Sequence, residues 1–137
     1  MPSSLHTPVT AFFRDYEAAV GTGDPAALGN IYHTSFLFGG LSGAQTVQLD
    51  DFLKVIPQRS GFMKSLGLTG TQLVSVTASA LDGRYTLAKV VWGMSRGVAE
   101  ETRTFEARAT YVLLNTAEGL RIVAQIDHAD LVAELRR

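Results

Sequence analysis

The stretch from Thr7 to Gly40, TPVTAFFRDYEAAVGTGDPAALGNIYHTSFLFGG, decides the fold. Thr7 followed by Pro8 is typical of a helix start, because a threonine hydroxyl caps free backbone N–H groups and proline at the first helical position lacks an N–H that would have no partner. Apolar side chains then recur at steps of three and four residues. They are Val9, Phe12, Phe13, Tyr16, Ala19 and Val20. The pattern predicts an amphipathic helix that packs on an apolar surface.

A second helix and a strand follow directly. Gly21 and Gly23 end the first helix, and Asp24 with Pro25 repeats the cap pattern so soon that the second helix is predicted to fold straight back. Residues 36–38 are apolar and are followed by two glycines, which predicts a short strand that ends there.

The middle of the chain predicts a loop and one more helical region. Gly39–Gln48 is rich in glycine and small polar residues, which is typical of a loop. Asp50 is the expected cap of the third helix. Pro57 either kinks this helix or divides it in two, because proline removes a backbone hydrogen bond inside a helix.

After Gly70 the apolar pattern alternates, as it does in strands. Asp82-Gly83, a dipeptide suited to a two-residue turn, separates two predicted strands of a hairpin. A third strand is predicted from Arg103 to Leu114 and a fourth from Leu120 to His128. Helices followed by a meander indicate one α+β domain over residues 1–137, with N-terminal helices packed on a curved antiparallel sheet. Such a cone is hard to fill completely, so we expect a cavity.

Composition excludes several classes of protein. The net charge is -1 and the 12 basic residues are scattered, so neither a nucleic acid nor a membrane surface is an expected partner. The absence of cysteine excludes thiolate chemistry and is consistent with the cytoplasm. Three separated histidines predict no metal site, and no motif for a cofactor is present. A hydrophobic content of 46% against 18% charged residues favours self-association.

Three segments carry a resemblance to a known superfamily. They are AAVGTGDPAAL at the end of the first helix, the strand YHTSFLF, and the final strand GLRIVAQIDH. With the long meander, they resemble the nuclear transport factor 2-like superfamily, whose cystatin-like cone is shared by ketosteroid isomerase, SnoaL-like polyketide cyclases, scytalone dehydratase and limonene epoxide hydrolase. The resemblance covers nearly the whole chain. It implies the fold more strongly than a reaction, because the superfamily includes enzymes, carriers and interaction modules.

Comparison with ketosteroid isomerase tests one mechanism. That family uses a carboxylate base and an oxyanion hole built from a tyrosine and a protonated aspartic acid. The resemblance places Tyr16 at the tyrosine, but it places Gly40 at the base and Thr110 at the second acid. Since one of three groups is present, the resemblance argues against steroid isomerisation by this mechanism.

The SnoaL-like cyclases point to a different base. Their aspartate lies near the end of the sheet, and the resemblance makes Asp127 its counterpart. Depending on the turn after Asn115, Asp127 lies opposite Glu106, which would raise its pKa, or opposite Arg108, which would lower it. Strict alternation places four side chains on one face of the last strand: Arg121, Val123, Gln125 and Asp127.

The third predicted strand leads to the expectation of a homodimer. Its more apolar face carries Phe105, Ala107, Ala109, Tyr111 and Leu113, and patterning alone would bury that face under the helices. The resemblance would instead place Thr110 inside the cone. Both hold if a second subunit covers the apolar face, so a homodimer is expected.

The candidate site residues each have a structural alternative. Tyr16 and Asp127 are the candidate catalytic pair, although a helix tyrosine is also typical of a core and an aspartate of a structural ion pair. Solvated or contact roles are the default for His33 and His128. The residues expected to contact a ligand are Phe36, Phe38, Phe62, Met63, Trp92, Arg108, Thr110 and Gln125.

Three functions remain open at this point. The first is a binding protein for a small apolar or aromatic molecule, held in the cone. The second is an isomerase, cyclase or dehydratase that uses Asp127 as general base and Tyr16 as hydrogen-bond donor. The third is a dimeric interaction module whose pocket is collapsed. A cavity of several hundred Å³ beside Tyr16 and Asp127 would favour the first two.

Overall fold

The computed structural model describes residues 3–98 and 101–136. Within this part of the chain, none of the helices combines the length and the apolar character that crossing a bilayer requires. The helices are α1 (Ser3–Thr22), α2 (Pro25–Leu28), α3 (Leu49–Ser65) and α4 (Leu131–Leu135). The strands are β1 (Tyr32–Gly40), β2 (Gly43–Gln48), β3 (Leu68–Ala80), β4 (Tyr85–Val98), β5 (Glu101–Thr116) and β6 (Gly119–Asp127).

The six strands form one open sheet in the order β2-β1-β6-β5-β4-β3. Neighbouring strands are antiparallel except for β1 and β6, which are parallel. The α+β class is as predicted, but the sheet is mixed where an antiparallel sheet was expected. Patterning within a strand reports which face is buried and carries no information on which strand lies beside it.

The predicted loop at Gly39–Gln48 is wrong, because its second half is the edge strand β2. Phe36 pairs with Val47 and Gly40 pairs with Gly43, so β1 and β2 form a hairpin. Most side chains of β2 are exposed, and the strand therefore lacks the apolar alternation that marks a half-buried strand in a sequence.

Two helix predictions also change. α1 begins at Ser3, so Pro8 lies inside the helix and the predicted start at Thr7 and Pro8 is wrong. α3 is one continuous helix that includes Pro57, and Asp50 lies in its first turn rather than at the cap. Gln48 occupies the cap position without a side-chain hydrogen bond. An acidic first turn still favours this helix, because the N-terminal end of a helix carries partial positive charge.

The predicted hairpin between β3 and β4 is confirmed, but its turn is built differently. Asp82 Oδ1 accepts hydrogen bonds from the backbone N–H groups of Arg84 at 2.8 Å and Tyr85 at 2.9 Å. Gly83 is not among the glycines with a left-handed backbone, which a two-residue turn of the expected type would need. The aspartate side chain therefore shapes the turn.

The core lies between α1 and the concave face of the sheet. Phe13 is fully buried, and its ring centroid lies 4.8 Å from that of Tyr111 and 6.2 Å from that of Trp92. The buried face of β5 carries Ala109 and Leu113 as well as Tyr111. The more apolar face of this strand is therefore inside the cone, as patterning alone predicts.

We expect Phe13→Ala to lower the free energy of unfolding by about 3–5 kcal/mol, because it leaves a cavity between the helix and the sheet. Phe62→Ala is the matched control, since that side chain is 44% exposed and its truncation should cost about 1 kcal/mol or less. Urea denaturation followed by circular dichroism measures both. Equal losses for the two variants would contradict the described core.

Candidate functional site

A row of polar side chains crosses the otherwise apolar interior of the cone. The Tyr16 hydroxyl, on α1, lies 2.9 Å from the Tyr32 hydroxyl, on β1. Tyr32 donates a hydrogen bond to Gln125 Oε1 at 2.6 Å, and Gln125 Nε2 donates to Asp127 Oδ1 at 3.0 Å. We call Tyr16, Tyr32, Gln125 and Asp127 the polar chain. It joins the first helix to both of the strands that pair in parallel.

A second hydrogen bond extends this arrangement away from Asp127. Trp92 Nε1 donates to the Tyr111 hydroxyl at 3.0 Å, and both side chains are buried. The Tyr111 hydroxyl also interacts with that of Tyr16. Three phenols and one indole thus meet inside the cone, and each finds a polar partner there, as buried tyrosine and tryptophan require.

A β-bulge decides which side chains of β6 face inward. Ala124 pairs with Val112 but Ile122 pairs with Leu113, so β6 contains one extra residue, Val123. The bulge brings Ile122 to the buried face that Gln125 occupies. The expected alternation, with Arg121 and Val123 on the face of Gln125, is therefore wrong between the start of β6 and the bulge at Val123.

The register places Asp127 opposite Ala109. Neither of the expected neighbours, Glu106 or Arg108, faces it. These two side chains are exposed and lie 3.9 Å apart on the outer face of the sheet, where they form a weak ion pair with each other.

Burial dominates the electrostatics of the acid. Loss of solvation raises the pKa of Asp127, and the Gln125 hydrogen bond, the Arg59 charge and the His128 charge oppose that rise. Arg59 lies on α3, and the sequence did not suggest that its charge acts on Asp127. A carboxyl group whose pKa is raised by burial is a stronger base than an ordinary aspartate, which is the direction that proton uptake requires.

The phenols are held in their neutral form. Burial raises the pKa of Tyr16, while its hydrogen bond with Tyr32 opposes the rise. Burial raises the pKa of Tyr32 and of Tyr111 well above the usual value, and the negative charge of Asp127 contributes to both shifts. These hydroxyls therefore act as hydrogen-bonding groups.

Tyr32 and Tyr111 were not among the predicted site residues. Tyr32 opens the strand YHTSFLF, and Tyr111 stands on the apolar face of β5, so each was visible in the sequence. A tyrosine on the buried face of a strand requires a partner for its hydroxyl, and this requirement is the signal that could have found them.

The structure brings together four of the predicted residues: Tyr16, Trp92, Gln125 and Asp127. Phe36 is buried in the core and Phe38, paired with Gln125, is partly buried against it. Met63 is also buried, on α3.

Three predicted ligand contacts are corrected. The Arg108 side chain is 71% exposed, and Thr110 lies on the same outer face of the sheet, where its hydroxyl is 2.7 Å from His128 Nε2. Strand alternation turns both away from the interior, because Ala109 and Tyr111 point inward. Phe62 is largely exposed on α3.

Aromatic rings occupy the centre of the cone. The ring centroid of Tyr16 lies 5.3 Å from that of Trp92, 6.0 Å from that of Tyr111 and 6.1 Å from that of Tyr32.

An open groove of about 1040 Å³ runs along α1 and the β5–β6 turn, and a second of about 330 Å³ lies between α1 and β3. Neither groove is lined by Tyr16 or Asp127, so neither is the cavity that was expected beside these two residues. Among the described residues, no cluster of three or more histidine, aspartate or glutamate side chains is arranged to hold a metal ion.

Comparison with known proteins identifies the fold. The family model "NTF2-like protein (DUF6841)" matches residues 6–130. No curated protein matches the chain.

Similar solved structures include an NTF2-like protein with a cystatin-like fold from Novosphingobium aromaticivorans, with 14% identity, a TM-score of 0.74 and coverage of 96% of this chain and 88% of that one. An NTF2-like protein of unknown function from Shewanella oneidensis has 14% identity, a TM-score of 0.69 and coverage of 94% and 100%. A superfamily protein from Salmonella enterica has 16% identity, a TM-score of 0.67 and coverage of 95% of each chain. At these identities the likeness shows the fold alone.

We expect Asp127→Asn to become more stable relative to the wild type as the pH rises. A carboxyl group whose pKa is raised above its ordinary value of 3.8 stabilises the folded state while it is protonated, and that stability is lost as the pH rises through the folded-state pKa. Asparagine does not titrate. Urea denaturation at a series of pH values measures the difference between the two proteins. A difference that stays constant from acid to neutral pH would show that burial does not perturb this acid.

Proposed function

The chain belongs to the NTF2-like protein (DUF6841) family, and from that premise we propose that it binds a small apolar or aromatic molecule at the mouth of its cone. The observation that carries the proposal is the polar chain, which leads from the Tyr16 hydroxyl to the partly exposed carboxyl group of Asp127. Its inner part is surrounded by aromatic rings, and its outer end meets solvent.

The energetics of the polar chain support a functional role. Burying hydroxyl and carboxyl groups costs free energy, and hydrogen bonds between them recover this cost without a large net gain. Apolar side chains of similar volume would give a core of equal or greater stability. Perturbed acids in such surroundings are found more often at functional sites than elsewhere.

The arrangement also favours one kind of ligand. The cone centre is occupied by aromatic rings, so a ligand sits toward Asp127 rather than beyond Tyr16. Phe38 pairs with Gln125 and is partly buried, so it supplies an apolar wall next to the acid. A flat aromatic or polyketide-like molecule with one polar substituent matches an apolar wall beside a hydrogen-bonding end.

An enzymatic role is the second candidate, and the raised pKa of Asp127 favours it. In this role Asp127 removes a proton from a carbon next to a carbonyl group, and a tyrosine hydroxyl stabilises the developing enolate oxygen. Isomerases, cyclases and dehydratases all use such a step. A dimeric interaction module is the third candidate, and the filled centre of the cone favours it.

Titration of Asp127 combined with ligand screening separates these three functions. The ¹³Cγ signal of Asp127 reports its pKa, and a library of aromatic and polyketide-like compounds is screened against wild type and Asp127→Asn. We expect a raised pKa and a binder whose affinity falls at least about tenfold in the variant, the equivalent of one charge-assisted hydrogen bond.

Asp50→Asn is the matched control, since that aspartate is exposed in the first turn of α3. If a bound compound is turned over by the wild type and not by Asp127→Asn, the enzymatic function is supported. If Asp127 has an ordinary pKa and no compound binds, the interaction module is the function that remains.

A cytoplasmic location stays a prediction from the cysteine-free sequence.

We also propose that the protein is a homodimer that associates through the outer face of the sheet. The apolar face of β5 is buried inside the cone and is therefore not available for this contact. Instead Leu37 and Ile126, on β1 and β6, are each 39% exposed on that face. Exposed aliphatic side chains on the outer face of a sheet favour an isologous contact.

We expect Ile126→Asp to convert a dimer into a monomer, because the contact would bury an unpaired charge. Light scattering after size-exclusion chromatography distinguishes a mass of 14.7 kDa from twice that value. Val55→Asp, at a 47% exposed position on α3, is the matched control and should leave the mass unchanged. A wild-type protein that is monomeric at high concentration would refute the dimer.

A further inference from the structure

We propose that Gln125 is a two-way hydrogen-bond switch, which makes Tyr16 an acceptor or a donor according to whether Asp127 is ionised or protonated. The inference rests on the proposed function in one respect, which is that Tyr16 and Asp127 are taken as the groups that face a ligand. Gln125 is therefore a positioning residue that acts through its two neighbours.

The two ends of the Gln125 amide are chemically different. Oε1 only accepts hydrogen bonds and Nε2 only donates them. An ionised Asp127 can only accept, so Nε2 must face its Oδ1 atom, as the 3.0 Å contact shows. Oε1 is then turned toward Tyr32, whose hydroxyl donates to it at 2.6 Å.

This orientation determines the direction of the next hydrogen bond. Because Tyr32 gives its proton to Gln125, it can only accept in the 2.9 Å contact with Tyr16. Tyr16 therefore donates to Tyr32, and its oxygen offers only lone pairs to any other partner. While Asp127 is ionised, Tyr16 does not have the donor role that the sequence suggested for it.

Protonation of Asp127 permits the opposite order. The carboxyl O–H can donate to Oε1 once the amide rotates by half a turn, and Nε2 then donates to the Tyr32 oxygen. Tyr32 in turn donates to Tyr16, which frees the Tyr16 proton for a ligand or for the Tyr111 hydroxyl that Tyr16 also contacts. Only one proton is taken up, at Asp127, and every other group keeps its own hydrogen. The amide side chain rotates without moving the backbone.

The switch predicts which ligand groups the site accepts in each state. An ionised Asp127 with an accepting Tyr16 suits a ligand hydroxyl or amine, both of which donate hydrogen bonds. A protonated Asp127 with a donating Tyr16 suits a carbonyl oxygen. In the enzymatic alternative, removal of a carbon-bound proton by Asp127 would itself provide the donor for the enolate oxygen.

Other groups near Asp127 influence its titration without setting the amide direction. The charged or titratable neighbours that affect it or are affected by it are Arg59 on α3, His128 beside it in the chain, Tyr16 on α1, Tyr32 on β1 and Tyr111 on β5. The Tyr16 response must therefore follow the midpoint of Asp127, and a midpoint that belongs to His128 would exclude the switch.

Nuclear magnetic resonance of the protein alone tests the proposal. Asp127 ¹³Cγ and the ¹³Cζ atoms of Tyr16 and Tyr32 are followed from acid to neutral pH, since the phenol carbon senses whether its hydroxyl donates or accepts. We expect both tyrosine signals to shift with the Asp127 midpoint in the wild type. In Gln125→Leu, Asp127 should still titrate, and most of the Tyr16 shift should be lost.

Two results would overturn the switch. One is a Tyr16 signal that does not follow Asp127 in the wild type, which would mean that the added proton points away from Gln125. The other is a Tyr16 shift that is equally large in Gln125→Leu, as the charge of Asp127 would produce through space.

If Gln125→Leu does not fold, the side-chain amide signals of Gln125 in the wild type decide instead, since they must change at the Asp127 midpoint. These measurements use no ligand, so a failure of the switch is separate from a failure to bind one.

Discussion

The burial of three phenolic hydroxyl groups in one apolar interior is the constraint on which the rest of the site depends. Each hydroxyl must find a partner inside the cone, because an unpaired one would cost about 1–3 kcal/mol. Trp92 supplies a donor for Tyr111, and Gln125 supplies an acceptor for Tyr32. Gln125 must therefore point inward, and the bulge at Val123 lets it do so while Ile122 stays in the core. The bulged last strand thus provides the acceptor that the Tyr32 hydroxyl needs.

Asp127 gives this interior a connection to solvent. It is the one carboxyl group of the polar chain, and its negative charge contributes to the raised pKa values of Tyr16, Tyr32 and Tyr111. A hydrogen-bonded chain of neutral phenols without an acid would only stabilise the packing of the core. In the switch that we propose, an acid at its end makes the hydrogen-bonding pattern depend on whether Asp127 is protonated.

The sequence predicted the elements whose buried faces show in a local pattern of apolar residues. It did not predict the features that depend on which strands pair with each other. The amphipathic pattern of α1 and the hairpin of β3 and β4 follow from apolar spacing and turn residues, which act locally. The strand β2 was missed because its side chains are exposed on a sheet edge. The parallel pairing of β1 with β6 was missed because residues far apart in the chain form it, and no pattern within either strand records its neighbour.

Side-chain chemistry and apolar spacing, which are properties of the chain, were enough to predict the α+β class and to offer Tyr16 and Asp127 as candidate site residues. Only the tertiary structure decided that Asp127 faces Ala109 rather than Glu106 or Arg108. It also decided that Tyr32 and Gln125 lie between Tyr16 and Asp127, with Tyr111 on the other side of Tyr16. The physical reason is that a single extra residue in β6 reverses which side chains point inward, and its position depends on the partner strand.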